Sequence, residues 1–416
     1  MTTPPDLARY RDDVRAWLTS NLESLEPGGS VAAAPWGVGE HDVSVFHDLS
    51  FEEEARLLKE LMAWQQTKFD AGYGAIAWPE EFGGAGLPVE YERAFAQEER
   101  GFRTPSPHET FSVTVRLIAP TVRLFGSAAQ RTNFVRRFRR AEELCCQLFS
   151  EPGAGSDLAG LATRAVRDGD EWVVNGQKVW SSGARFAPWG ELIARTDPDV
   201  PKHAGMTAFI VPMDAPGIEV RPIRQMSGGA SFNEVFFTDV RIPDGLRLGD
   251  VGAGWNVALT TLGFERGDRT AVGVGGSWAQ VRDLARWLGR GDDPLIRQAL
   301  AELYASRRIT ELVWQRATVS SNGGAPGPEA SIGKLRWTRD LTRTSEIVST
   351  LLGPRLAADT GEWGTFSWNA HVLGAPGYRI AGGSDEIQRN IIGERVLGLP
   401  VEPRVDRDLP WKDSRR

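Results

Sequence analysis

The residue of this sequence with the clearest catalytic potential is Glu265, a glutamate inside a predicted helix. It continues an apolar stripe with steps of three and four residues, formed by Trp255, Ala258, Leu259 and Leu262. A buried carboxylate has a raised pKa, which suits a general base that works near neutral pH. The same spacing also fits an ordinary surface ion pair with Arg269, four residues on. The residue pattern alone supports both interpretations about equally.

A second chemically suggestive segment is the run of small and hydroxyl residues at 149–157, Phe-Ser-Glu-Pro-Gly-Ala-Gly-Ser-Asp. Its glycines leave backbone N–H groups accessible, and two hydroxyls stand among them. Such a loop can wrap a flat polar ring or a phosphate. Composition alone favours a plain surface loop in which Asp157 caps a helix.

Composition excludes several classes of protein. The 416 residues are 41% hydrophobic and 25% charged, which predicts a globular chain, and the formal charge of -7 gives no general attraction to nucleic acid or anionic membranes. The adjacent Cys145 and Cys146 do not suit a disulfide, and the five scattered histidines lack metal-ligand spacing. A run at 328–334 ends in Gly-Lys but has proline in place of the first P-loop glycine. No segment has the pattern of a signal peptide or of a membrane span, so we expect a cytoplasmic protein. From the spacing of the histidines and cysteines we also expect no bound metal.

The periodicity of the apolar residues divides the chain into three parts. A helical pattern runs from Leu7 to about Ala141, and short strands follow at 192–195, 206–211, 218–223 and 234–240. At 171–180 we predict a hairpin whose Asn-Gly pair forms the tight turn. The helical pattern returns at 255–288, 294–319, 328–358 and 384–396. The predicted domains are therefore 1–143, 144–250 and 251–416.

The motifs in these three parts resemble the acyl-CoA dehydrogenase family. The resemblance rests on 149–157, on Asn-Gly-Gln-Lys-Val-Trp-Ser-Ser at 175–182, on Trp-Pro-Glu-Glu-Phe-Gly-Gly at 78–84, and on 382–390. Several matches in the right order are more specific than any single one. The resemblance implies an α+β fold with an N-terminal all-helical domain, a middle β-barrel-like domain and a C-terminal four-helix bundle.

The family binds FAD between its middle and C-terminal domains, and the resemblance implies which residues meet the flavin ring. Phe149 and Ser150 are expected against the isoalloxazine. Trp180, Ser181 and Ser182 are expected against the other face and near N5.

The remaining FAD contacts follow from the same resemblance. Gly155 and Ser156 are expected along the phosphate and substrate side, and Ser384 and Glu386 at the adenosine half, which many relatives complete across a subunit interface. Gly353 stands where relatives have a glycine pair near adenine. The family's Arg-x-x-Phe-Gly segment for the flavin diphosphate is missing from 287–298, where Arg290 is a candidate substitute.

The catalytic base has two locations in the family. One falls on Gly382, which offers a backbone N–H to the thioester oxygen but no carboxylate. The other falls on Glu265, which we therefore predict to be the base. Substrate contacts are expected at Ser156, Leu262, Arg266 and Ala381, and the small residues at 381–383 predict room for a bulky or branched acyl group.

The implied function is α,β-dehydrogenation of an acyl-CoA, with electrons passing from FAD to an electron-transferring flavoprotein. The departures from the common motifs resemble the actinobacterial branch that acts on steroid side-chain thioesters, which predicts a homo-oligomer or a heterotetramer with a related subunit. The alternatives are a flavin oxidase or monooxygenase, a dehydrogenase of carrier-protein-bound acyl groups, and a non-catalytic partner subunit. The arginine-rich run 131–140 is interpreted as a solvated helix face, with attraction of CoA phosphates as the alternative.

Overall fold

A computed structural model describes residues 4–25, 42–267, 274–320, 327–362 and 364–414, without the side chains of 266–267 and 318–320. The predicted order of helices, strands and helices is confirmed. Contacts group the described residues into two compact units: one holds those up to residue 25 with Phe51–Cys145, and the other holds 42–50 with the residues from Cys146 onward. The limits of the three predicted domains stay a prediction.

The first unit is helical. Its helices are α1 (Leu7–Asn21), α2 (Phe51–Asp70), α3 (Val89–Glu99), α4 (Glu109–Ser112), α5 (Ala119–Phe125), α6 (Ala128–Gln130) and α7 (Arg136–Arg140). Two π-helical segments, Val113–Ile118 and Arg131–Val135, lie between them. Asp6 caps α1 through the N–H groups of Ala8 and Arg9. The buried faces of α1 and α3 meet through Tyr10, Val14, Leu18, Tyr91, Ala94 and Phe95.

The arginine-rich run belongs to the structure of this first unit. Arg139 is buried, and its guanidinium donates to the carbonyl oxygens of Val115 (3.0 Å) and Gly74 (2.7 Å). Arg140 pairs with Asp70 at 2.7 Å. The interpretation of the whole run as a solvated helix face is therefore wrong for Arg139. The contacts of Arg139 and Arg140 favour a structural role over attraction of CoA phosphates.

The second unit contains one mixed sheet. Its strands are β1 (Cys145–Leu148), β2 (Arg164–Asp168), β3 (Glu171–Ser182), β4 (Trp189–Arg195), β5 (Met206–Pro212), β6 (Ile218–Ile223), β7 (Phe232–Pro243) and β8 (Arg247–Leu248). The strand order is β6-β7-β3-β2-β4-β5-β8, and β1 pairs with β4. The β2–β4 pairing is parallel and the other pairs of the path are antiparallel.

The hairpin predicted at 171–180 is wrong, because these residues form one continuous strand, β3. The turn lies earlier, at Gly169 and Asp170, and joins β2 to β3. Asn175 and Gly176 instead stand where the β3–β7 register shifts, and Asn175 donates to Asp239 across the shift at 2.9 Å. Asn-Gly supplies the unusual backbone angles of a bulge as readily as those of a turn.

The helices of the second unit are α8 (Gly254–Gly267), α9 (Trp278–Trp287), α10 (Pro294–Ser320), α11 (Ala330–Leu352), α12 (Trp368–Tyr378) and α13 (Asp385–Ile391). A π-helical segment, Ile392–Val396, follows α13. The single helix predicted at 255–288 is wrong, because Ser277 begins a new helix with a capping box to Gln280. The sequence pattern also missed α12. The core between α9, α10, α11 and α12 includes Val281, Leu284, Leu303, Val348 and Trp368.

The described residues contain neither a membrane-spanning helix nor a cluster of metal ligands. No helix among them is long and apolar enough to cross a membrane. In the same part of the chain, no group of three or more His, Cys, Asp or Glu side chains is placed to hold a metal ion.

A buried glutamate ties the sheet to α8. Glu191 of β4 is fully buried, and Thr261 of α8 donates to its Oε1 at 2.9 Å. The other oxygen, Oε2, has no hydrogen-bond partner among the described residues. Burial raises the pKa of Glu191 to about 8, so the folded protein holds this carboxyl in its neutral form at neutral pH.

We predict that Glu191→Gln stabilises the protein more at pH 8 than at pH 5. The folded-state pKa is above the ordinary value of 4.5, so the stabilising contribution of Glu191 is full below pH 4.5 and is lost as the pH rises toward 8. Glutamine does not titrate, and each pKa unit corresponds to about 1.4 kcal/mol. Urea unfolding at the two pH values measures the difference, with Glu311→Gln, at an exposed residue of α10, as control. An equal effect of Glu191→Gln at both pH values would contradict the account.

Candidate active site

The central feature of the candidate site is the position of Glu265 beside Gly382. Glu265 lies half-buried in the last turn of α8. A Cβ atom built on Gly382 would stand 2.9 Å from Glu265 Oε1. The carboxylate of Glu265 therefore fills the space where a side chain at position 382 would begin. The two residues that the sequence offered as alternative locations for a base are neighbours in space.

The turn that carries Gly382 has a backbone suited to glycine. Gly382 and Gly383 have φ angles of +63° and +84°, in the left-handed region that other residues rarely adopt. The Gln388 amide donates to both of their carbonyl oxygens, at 2.9 and 3.1 Å. Lys334 Nζ donates to the Gly383 oxygen at 2.6 Å. The Gly382 N–H has no hydrogen bond within the described part of the chain, so it can serve a ligand.

The predicted stripe on α8 is half-buried and lies beside a fully buried face. Leu262, like Trp255 and Leu259, is half-buried. The buried face consists of Val257, Ala258 and Thr261. Of the predicted stripe, only Ala258 belongs to that buried face, and the rest of the stripe with Glu265 lies along its edge. The Arg266 side chain and Arg269, the alternative partner of Glu265, lie outside the described residues.

The loop at 149–157 is held by a buried ion pair that the sequence analysis missed. Lys178 Nζ lies 2.8 Å from Glu151 Oε1 and donates to the Phe149 carbonyl at 2.9 Å. Glu151 also accepts from the N–H groups of Ala162 and Thr163 at 2.7 and 2.9 Å. Burial raises the pKa of Glu151, but the Lys178 charge and these hydrogen bonds outweigh it, so the pKa lies below its ordinary value.

The tip of the loop is open. Glu151 and Ala154 close it with two reciprocal backbone hydrogen bonds, and Gly155 and Ser156 are exposed. A Cβ atom on Gly153 or Gly155 would meet no heavy atom within 4 Å, and neither glycine has a positive φ. Neither packing nor backbone geometry in this chain requires glycine there. Close approach of a bound molecule to the backbone would require it.

Trp180 combines a left-handed backbone conformation with an exposed side chain. Its φ is +62° at a register shift between Lys178 and Ser181, and its side chain is 58% exposed. The indole contacts Phe232 edge-on, with ring centroids 5.9 Å apart. A large aromatic ring held outward by a strained bulge is an exposed apolar surface suited to stacking. Beside it, the buried hydroxyl of Ser181 has no hydrogen-bond partner among the described residues.

The other predicted residues have the following places. Phe149 is buried, while Ser150 and Ser182 are half-buried in the loop and in β3. Ala381 is half-buried at the start of the turn.

The residues expected near the adenosine half of FAD lie at helix ends. Ser384 caps α13 through the Ile387 N–H, and Glu386 is exposed in the first turn of that helix. Gly353 ends α11 with φ +52° and has open space beside its Cα. Arg290 is engaged by Asp293 (2.7 Å) and the Thr350 carbonyl (2.9 Å).

These features form two groups with complementary chemistry. One is a carboxylate beside a backbone N–H, and the other is an open glycine loop followed by an exposed indole and a buried hydroxyl. The second group fits a flat aromatic cofactor with phosphates. The two groups together suit a flavin-dependent dehydrogenase, in which a carboxylate takes a proton beside a flat redox cofactor.

Comparison with known proteins agrees with this class. Models of the acyl-CoA dehydrogenase N-terminal, middle and C-terminal domains match residues 45–142, 146–240 and 252–397. The chain belongs to the acyl-CoA dehydrogenase family, and it is an oxidoreductase. The predicted family and the predicted fold class are confirmed.

Three relatives show which members of the family this chain is similar to. The chain is 39% identical over 407 residues to acyl-CoA dehydrogenase IpdE1 of Mycobacterium tuberculosis, covering 96% of this chain and 99% of that protein. The Tcur3481-Tcur3483 steroid ACAD has a TM-score of 0.73 at 25% identity, covering 96% of this chain and 99% of that one. The ChsE4-ChsE5 complex of Mycobacterium tuberculosis has a TM-score of 0.69 at 26% identity, with the same coverage.

We predict that Lys178→Met destabilises the protein by about 3 to 5 kcal/mol, because it leaves Glu151 as a buried charge without its cation. Urea unfolding measures the loss. The double variant Lys178→Met/Glu151→Gln removes both charges and is expected to recover part of it. A loss below about 1 kcal/mol for the single variant would show that the pair does not hold the loop.

We predict that Gly382→Ala slows flavin reduction by an acyl-CoA more than its stability loss explains. The new Cβ would stand 2.9 Å from Glu265 Oε1 and displace the carboxylate. Its backbone strain costs about 1 to 2 kcal/mol. Gly169→Ala is the matched control, because Gly169 has φ +62° and no atom near its missing Cβ. Equal reduction rates in the two variants would refute the proximity argument.

Proposed function

We propose that this chain introduces a double bond between the α and β carbons of an acyl-CoA, with Glu265 as the base and FAD as the electron acceptor. The observation that carries the proposal is the carboxylate of Glu265 filling the space beside Gly382. Membership of the acyl-CoA dehydrogenase family supports this class of reaction, and the roles of individual residues are part of the proposal.

The carboxylate and the neighbouring N–H have complementary tasks. The α-proton of a thioester is weakly acidic, so its removal needs both a base and stabilisation of the negative charge that develops on the carbonyl oxygen. Glu265 takes the proton. The Gly382 N–H, which no described residue uses, donates to that oxygen. Gln388 and Lys334 hold the turn that presents it.

Bound FAD would supply the acceptor for the hydride that leaves the β-carbon. In the proposal, Phe149 and Ser150 would hold one side of the flavin ring, and Trp180, Ser181 and Ser182 would hold the other. Support comes from the exposed indole of Trp180 and from the buried Ser181 hydroxyl without a described partner.

Other residues are proposed to hold the rest of the cofactor. The backbone of Gly155 and Ser156 would bind its phosphates, and Gly353, Ser384 and Glu386 would bind its adenosine half. The open space at Gly155 and Gly353 supports this arrangement.

The acyl group is proposed to be bulky, in the manner of a steroid side chain. The residues at 381–383 are alanine and two glycines, so this turn itself contributes no large side chain beside Glu265. The likeness to a steroid ACAD supports the same class of substrate. Ser156, Leu262, Arg266 and Ala381 are the proposed substrate contacts.

The proposed partners are an electron-transferring flavoprotein and further subunits. The chain is similar to a complex of two differently named subunits, which supports a heterotetramer with a related subunit, and a homo-oligomer is the other form to test. The proposed place of action is the cytoplasm.

Anaerobic titration with a panel of acyl-CoAs tests the proposal through bleaching of the flavin absorbance. The purified chain is expected to be yellow and to bleach with bulky or branched thioesters. Glu265→Gln should keep its FAD and lose at least roughly 100-fold in reduction rate, whereas Glu311→Gln should behave like the parent. Undiminished reduction in Glu265→Gln would refute the assignment of the base. Equal rates with straight-chain thioesters would refute the bulky substrate.

A further inference from the structure

Lys334 is a buried lysine that touches the turn beside the proposed base. It lies in the second turn of α11 and is 8% exposed. Its Nζ donates to the Gly383 carbonyl at 2.6 Å. Burying an ammonium group costs free energy unless hydrogen-bond acceptors and opposite charges surround it. The buried position of Lys334 therefore indicates a specific role.

The charges around Lys334 converge from three elements. Glu265 comes from α8, Asp385 and Glu386 come from α13, and Arg379 follows α12 and pairs with Asp385 at 2.8 Å. Burial lowers the pKa of Lys334 to about 8, although Asp385, Glu265 and Glu386 raise it. The lysine is therefore largely protonated at neutral pH.

Lys334 and Glu265 both lie close to the point where a side chain at position 382 would begin. The Cβ atom built on Gly382 would lie 2.9 Å from Glu265 Oε1 and 4.0 Å from Lys334 Cε. The turn at Gly382 thus has a carboxylate and a lysine stem as neighbours, and the ammonium end of that stem donates to the next carbonyl along the chain.

We propose that Lys334 is a positioning residue for the reaction, which acts through Gly382 and Glu265 without touching the substrate. By fixing the Gly383 carbonyl it aims the Gly382 N–H at the thioester oxygen, and its charge keeps Glu265 ionised and ready to accept a proton. This inference rests on the proposed function, in which Glu265 is the base.

A purely structural role makes a different prediction. If Lys334 only anchors α13 to α11, its loss lowers stability but leaves the pH dependence of flavin reduction unchanged. A role in positioning the base moves that dependence, because a carboxylate that loses a neighbouring cation has a higher pKa.

The test is the rate of anaerobic flavin reduction by a saturating acyl-CoA from pH 5 to pH 9, with FAD content and urea unfolding measured in parallel. Lys334→Met is expected to reduce the limiting rate roughly tenfold to a hundredfold and to move the acidic limb of the profile upward by about one pH unit. Lys334→Arg, which keeps the charge, should restore the position of the limb. Lys412→Met, at an exposed lysine, should match the parent.

Lys334→Gln keeps a hydrogen-bond donor and loses the charge. It takes the place of Lys334→Met in this test if Lys334→Met does not fold. A shifted limb in Lys334→Gln supports the inference. An unshifted limb and a rate like the parent's, in a less stable protein, would overturn it. Failure of the proposed function is recognised separately, by rapid flavin reduction in Glu265→Gln.

Discussion

The structure of the site depends on one steric constraint: a carboxylate and a backbone turn share the space that a single side chain would fill. Gly382 lacks a Cβ, and Glu265 Oε1 lies 2.9 Å from where that atom would be. Only glycine easily supports both this contact and a φ of +63°. The base and the oxyanion donor of the proposed reaction are thereby held side by side, although they are more than 100 residues apart in sequence.

The surrounding fold makes these positions rigid by placing polar groups inside it. The Glu151–Lys178 pair fixes the glycine loop to β3, and the bulge in the same strand turns Trp180 outward. Glu191 joins the sheet to α8, the helix that carries Glu265. Removing one partner of such a buried polar pair destabilises a fold, so the defined geometry depends on keeping both partners.

The fold class could be predicted from the sequence, because separate motifs in the right order indicate the family, whereas the roles of the site residues stay predictions. Local sequence propensity predicted the wrong local structure where pairing with a distant strand determined it. Asn175-Gly176 fits a turn or a bulge equally well, and pairing of β3 with β7 selects the bulge. Lys334 and Lys178 could not be identified as buried, because a lysine in sequence predicts exposure unless its distant partner is known. Their partners, Gly383 and Glu151, are 49 and 27 residues away.

The central claim is that the carboxylate of Glu265 removes the α-proton, and isotope exchange tests it without any flavin chemistry. An acyl-CoA with no hydrogen on its β-carbon is incubated with the enzyme in D2O, and mass spectrometry follows deuterium at the α-carbon. The parent protein is expected to catalyse exchange, and Glu265→Gln with the same FAD content is expected to show only the background rate. Equal exchange in both proteins would contradict the account.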